Sequence, residues 1–157
     1  MPGAPPLAGG AEGATVDPAA RQRLQQAQAA ARLHPADVAT LVGLGNAAFD
    51  ALEFEEAIDA YEKALKIQPD DPNVLTDLGT AYRNQGRSDR ALELFRKARA
   101  LDPKHWQSLY NEVVVLALDR HEHEAADAAL ERLKREHPGL PAIATLERQV
   151  GAAHGGK

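Results

Sequence analysis

Apolar and small residues recur along this chain with the 3.6-residue period of an amphipathic helix. Leu41, Leu44, Gly45 and Ala48 fall at i, i+3, i+4 and i+7, and Ala57, Ile58, Tyr61, Ala64 and Leu65 trace a second stripe of the same kind. Only a short polar stretch divides them, so the pattern predicts two helices joined by a turn. The pair then repeats. Leu75, Leu78, Gly79 and Tyr82, then Ala91, Leu92, Phe95, Ala98 and Leu101, each lie 34 residues beyond an apolar or small residue of the first pair, from Leu41 to Ile67. Pro35, Pro69 and Pro103 keep the same interval, and Pro138 follows 35 residues later. A period of this length marks an array of supersecondary units, each burying its apolar face on the next. Asp71-Pro72 supplies an N-cap and a proline for the first helical position, while Gln85-Gly86-Arg87-Ser88 supplies a C-terminal glycine and the next N-cap.

The pattern weakens at both ends of the array. From Trp106 to Pro138, Leu109, Tyr110 and Asn111 follow the first-helix pattern, but Val113 or Val114 replaces the glycine. The second helix matches through Ala126, Leu130, Leu133 and Pro138 only after a one-residue shift. Upstream, Leu24, Ala27, Ala30 and Leu33 align with Ile58, Tyr61, Ala64 and Ile67, so the helix opened by Asp17-Pro18 reads as the second half of a repeat. Downstream, Leu140, Ile143, Leu146 and Val150 predict a closing helix.

The order of large residue, glycine, aromatic, alanine, aromatic, alanine and terminal proline in LGNAAFDALEFEEAIDAYEKALKIQP and LGTAYRNQGRSDRALELFRKARALDP resembles the tetratricopeptide repeat family. Leu52 stands where the turn glycine is expected, in the place of Gly86. The resemblance implies an all-α, right-handed α-solenoid of about three helix-turn-helix units. Residues 17–34 form an N-terminal flanking helix, followed by repeats at 36–69 and 70–103, a divergent repeat at 104–138 and a C-terminal capping helix at 139–150. Residues 1–16, rich in Ala, Gly and Pro, read as a flexible leader or linker, and 151–157 as a disordered tail.

Composition narrows the function classes. Aromatics make up 4% of a chain rich in alanine, which suits closely packed helices better than sheets. With no cysteine there is no disulfide and no thiolate ligand or nucleophile. A net charge of -5 argues against nucleic acid as a partner, and no apolar run of spanning length argues against direct membrane insertion. No targeting segment is visible, which leaves the compartment open between cytoplasm and periplasm. The Ala, Arg and Gly usage points to a bacterial source.

HEHEAAD, His121 to Asp127, comes close to the zinc-hydrolase helix H-E-x-x-H, but an aspartate stands in the place of the second histidine and His121 and His123 fall at i and i+2 in a turn. A metal-dependent hydrolase at His121 and His123 is therefore the minor reading, and neither metal site nor cofactor is expected. His105 reads as an ordinary linker residue, and Gly43 and Gly45 as packing glycines within a helix. The acidic run of Glu53, Glu55, Glu56, Asp59 and Glu62 reads as a solvated helix face. No nucleophile elbow, phosphate loop or triad occurs, so no enzymatic activity is expected.

The family resemblance implies that the first helix of each pair lines a concave groove. Its groove-facing places are Asn46, Phe49 and Asp50, then Asn73, Thr76, Thr80, Arg83 and Asn84, with Tyr110 and Asn111 from the third unit. Amide side chains pair in both senses with a peptide backbone, and aromatic rings offer rigid apolar surface. The expected function is a protein-interaction scaffold that takes a peptide or partner protein in the groove. The alternative is an assembly module associating through its ends or convex face, with the chain a monomer or weak homo-oligomer. One sub-type of the family clamps acidic chaperone tails. Here Asn46 matches a clamp asparagine, but Val42 replaces a lysine and Asp77 an asparagine, which argues against that ligand.

Overall fold

The computed structural model describes residues 16–155. The expected leader lies outside them except for Val16, as do the last two residues of the expected tail. Eight α-helices follow one another: α1 (Pro18–Leu33), α2 (Val38–Asp50), α3 (Phe54–Ile67), α4 (Pro72–Asn84), α5 (Ser88–Leu101), α6 (Trp106–Val114), α7 (His123–Glu136) and α8 (Ala142–Gly155). One turn of π-helix, Val115–Asp119, continues α6. No strand occurs among the described residues. Each helix packs on its neighbours in sequence, from α1 on α2 to α7 on α8, and α4 also meets α6, so the layers add up to an all-α solenoid.

The first helix of each unit begins at equivalent places. Asp37 accepts from the Thr40 N–H at 2.8 Å, and Asp71 accepts from Asn73 and Val74 at 2.9 and 3.2 Å. His105 stands 34 residues beyond Asp71, and its Nδ1 accepts from the Ser108 N–H at 3.3 Å. A side-chain acceptor is favoured there because the first N–H groups of a helix have no partner within it. His105 is thus a helix cap, not the plain linker residue that sequence reading suggests. Ser88 departs in the opposite sense. Arg87 is the cap residue of α5, and the Ser88 hydroxyl donates instead to Asp119 Oδ2 at 3.2 Å.

The turns within the units share one backbone device. Leu52, Gly86 and His121 hold left-handed φ values of 62°, 74° and 55°, which only glycine adopts without steric cost. In the first two turns the closing bond reaches back five residues, from Glu53 N–H to Ala48 C=O and from Arg87 N–H to Tyr82 C=O, both at 2.9 Å. In the third, Glu122 N–H reaches six residues back to Leu116 C=O at 2.8 Å. The π turn absorbs that extra residue. It is the physical reason for the one-residue shift of the third unit and for the longer interval to Pro138.

Packing follows the glycine-aromatic pairs. A Cβ at Gly45 would stand 2.6 Å from Tyr61 Cδ1, and one at Gly79 would stand 2.6 Å from Phe95 Cε1, so α2 meets α3 and α4 meets α5 at a distance that admits no side chain. In the third unit Val113 and Leu130 occupy these places, both buried, with a medium pair substituting for a small and a large one. Gly43 is not a packing glycine. It is exposed, and nothing lies within 4 Å of where its Cβ would be.

Two further departures concern the end of the array. Glu112 occupies the place of Leu44 and Leu78 and is buried, its carboxylate shared between Arg96 (2.9 Å) and Arg99 of α5. A buried carboxylate is tolerable only when paired in this way. The tail expected from Gly151 is corrected as well: α8 runs on to Gly155, held by the buried Leu146 and Val150 against α6, α7 and the π turn.

Candidate functional site

The polar stripe of α4, comprising Asn73, Asp77, Thr80 and Asn84, runs opposite the apolar stripe that packs on α5. With the matching stripes of α2 and α6 it forms the face on which the expected groove residues lie. These residues differ sharply in how free their side chains are.

Asn46 is exposed and its Oδ1 accepts from the Tyr61 hydroxyl at 2.7 Å, which leaves the amide N–H groups without a partner among the described residues. Asp50 is exposed, with Arg23 of α1 no closer than 3.8 Å. Phe49 is half-buried and edge-on to Phe54, with centroids 5.3 Å apart, so its ring is anchored to the start of α3. Asn84 is exposed and donates to Thr80 C=O at 2.8 Å, and Asn111 is half-buried.

Others are committed elsewhere. Thr76 is buried and its hydroxyl donates to Pro72 C=O at 2.8 Å, while the Thr80 hydroxyl donates to Thr76 C=O at 2.9 Å. Tyr110 is buried, edge-on to Trp106 at 6.2 Å, and burial raises its hydroxyl pKa. Asn73 Oδ1 lies 3.1 Å from His105 Nε2. Since His105 Nδ1 accepts at the helix cap, Nε2 carries the proton and donates to Asn73. Burial lowers the His105 pKa, against the opposing pull of Asp102 and Asp71, which favours this neutral form. Arg83 makes two parallel bonds to Asp119, Nε–Oδ2 at 2.7 Å and Nη2–Oδ1 at 2.9 Å, so its charge is neutralised.

The residue that sequence reading passed over is Asp77, noted there only as a missing clamp asparagine. It sits mid-stripe on α4, in register with Gly43 and Asn111, and is half-buried. Burial, reinforced by the charge of Asp71, pushes its carboxyl up to about 6. Burial and the charges of Asp77 and Asp50 in turn hold the Tyr61 hydroxyl far above the ordinary tyrosine value. Its register position was the one signal in the sequence that could have found it.

The chemistry hinted at by HEHEAAD does not assemble. His121 is the left-handed turn residue, and His123 opens α7 with its ring edge-on to His154 at 4.3 Å. Among the described residues no three His, Asp or Glu side chains converge to hold a metal ion. An open cleft of about 570 Å³ lies at the turn of the second unit, lined by residues that include Arg87, Asp89, Arg90 and Arg120. Its charges are largely cancelled by pairs such as Arg120 with Asp89 and Arg90 with Glu93.

Two family models, each described as a tetratricopeptide repeat, match residues 38–104 and 76–141. No curated protein sequence matches. Among solved structures, the crystal structure of MamA is 22% identical with a TM-score of 0.73, over 85% of this chain and 75% of that one. The first repeat domain of Spaghetti (RPAP3), bound to the HSP90 peptide SRMEEVD, is 22% identical with a TM-score of 0.67, over 75% and 93%. The corresponding domain of Arabidopsis OM64 is 16% identical with a TM-score of 0.65, over 72% and 93%. At such identities the likeness speaks for the fold alone.

Proposed function

Because the chain belongs to the tetratricopeptide repeat family, we propose that it is a non-enzymatic interaction module that takes an extended peptide segment of a partner protein along the face formed by α2, α4 and α6. The observation that carries this reading is a row of amides and a carboxylate, Asn46, Asp77, Asn84 and Asn111, left with free hydrogen-bonding capacity on one face, while Asn73, Thr76, Thr80 and Arg83 beside them are paired within the fold. Such groups suit a peptide backbone, which offers donors and acceptors in alternation. An acidic tail is disfavoured as the ligand, since Asp50 and Asp77 would repel it and Val42 offers no cation.

The test is to pan the full chain against degenerate, terminally capped nonapeptide libraries, beside a variant with Asn46, Asn84 and Asn111 all changed to alanine. Capture by the parent that is lost in a variant of unchanged helical circular dichroism is expected; equal capture by both would move the site elsewhere. A second reading, self-association, is favoured by Leu33, Ile67 and Leu101. These three aliphatics recur at the 34-residue interval and are 76%, 50% and 42% exposed. A mass that stays monomeric in light scattering from micromolar to millimolar concentration would remove it.

A further inference from the structure

We infer that Asp77 is the anchoring residue of the groove, and that the segment it holds presents a lysine or arginine side chain to it. The inference rests on the peptide-binding reading above and names its ligand chemistry.

Three observations converge on it. First, Asp77 is half-buried in the middle of α4, yet no donor or cation among the described residues answers its carboxylate; the neighbouring charge that acts on it, Asp71, is acidic. A carboxylate kept from full hydration without a partner costs stability, and such a cost is typical of groups held for a ligand. Second, the groove has no competing free cation. Arg83 is the single basic residue in α2, α4 and α6, and its guanidinium is paired side-on through Nε and Nη2 with Asp119, whereas Asp50 adds a second acidic group on the α2 side. The unbalanced charge of the face is therefore negative. Third, there is room. The equivalent position on α2 is Gly43, exposed and with nothing within 4 Å of its would-be Cβ, so α2 places no side chain at the register position preceding Asp77 in the array. Asn46 and Asn111, to either side along the array, are placed to hold the peptide backbone that carries it.

A lysine ammonium or arginine guanidinium would gain a charge-assisted contact that a neutral residue cannot make, and would lift the penalty on Asp77 in the same event. The same capped nonapeptide libraries test this when the central residue is fixed as Lys, Arg, Ala or Glu. The full chain is expected to retain the Lys or Arg library at least tenfold better than the Ala library, and the Glu library least. Lys against Arg identifies which cation fits. Asp77→Asn is expected to reduce that preference to within twofold while still retaining the Ala library, and Gly43→Leu, which fills the space without altering charge, to weaken Lys and Arg capture specifically. Equal capture of all four libraries by the parent chain, or a preference that survives Asp77→Asn or is untouched by Gly43→Leu, overturns the inference and leaves peptide binding standing. Capture of none of them overturns both.

Discussion

Arg83 on α4 grips Asp119 at the end of the π turn through two bonds of 2.7 and 2.9 Å, and the Ser88 hydroxyl adds a third to the same carboxylate. The contact ties the second unit to the third where the third departs most from the repeat. Asp119→Ala is expected to lower the unfolding free energy by about 1 kcal/mol, since a bidentate and partly buried pair exceeds an ordinary surface pair. Urea denaturation at low and high salt would show it, with the difference shrinking as salt rises. No change at either salt would mean that the pair adds nothing to the join between units.

Glycine substitutions should split by sign. Gly45→Ala and Gly79→Ala force a methyl into Tyr61 and Phe95 and are expected to cost about 1–3 kcal/mol. Gly43→Ala meets open space on a helix and should gain about 0.5–1 kcal/mol. Thermal melts of the three variants decide the matter, and equal effects would mean the glycine-aromatic contacts are not tight.

His121 and Leu52 hold the left-handed turn that Gly86 holds at no steric cost. Replacing either with glycine is expected to stabilise by about 0.5–1 kcal/mol, the relief of the Cβ clash less the added freedom of the unfolded chain. Chemical denaturation of the single and double variants measures this. A loss on His121→Gly would show that the imidazole contributes more than the turn costs.

Asp77 gives a pH signature. Its folded value of about 6 lies above the ordinary carboxylate value, so the folded chain holds this proton more tightly than the unfolded one. The penalty is absent below about pH 4, grows between pH 4 and 6, and is complete above. Asp71, the neighbouring charge that acts on it, is acidic, the Tyr61 hydroxyl that its charge reaches is neutral, and among the described residues no cation pairs with it. Asp77→Asn is thus expected to stabilise by about 1–2 kcal/mol at pH 7.5, a figure reduced for residual solvation, and by almost nothing at pH 3.5. Denaturation at the two pH values would expose a gain of the wrong sign or one independent of pH.

Much of the fold was legible because its signals are local or translational. The 3.6-residue stripes of Leu41 to Ala48 and Ala57 to Leu65, the Asp-Pro start at Asp71 and Pro72, and the 34-residue interval each follow from residues near in sequence or from exact repetition. The candidate site was less legible. Thr76 and Tyr110 share the register of groove positions but are buried, while Asp77, which sequence reading used only to argue against a ligand, is the carboxylate left unanswered. His105 looked like a linker because histidine is an unusual cap; its place beneath Asp37 and Asp71 in the repeat was the available clue.

By itself, then, the sequence determined the architecture in outline: a tandem array of paired helices with flanking helices at both ends, because period and repetition leave no other way to bury the apolar stripes. Which polar groups remain free for a partner was decided only in three dimensions. Arg83 meets Asp119, Asn73 meets His105, and Glu112 meets Arg96 and Arg99 across gaps set by how one unit sits on the next. A helical period assigns a side chain to a face, but its freedom depends on what the neighbouring layer places within about 3 Å of it.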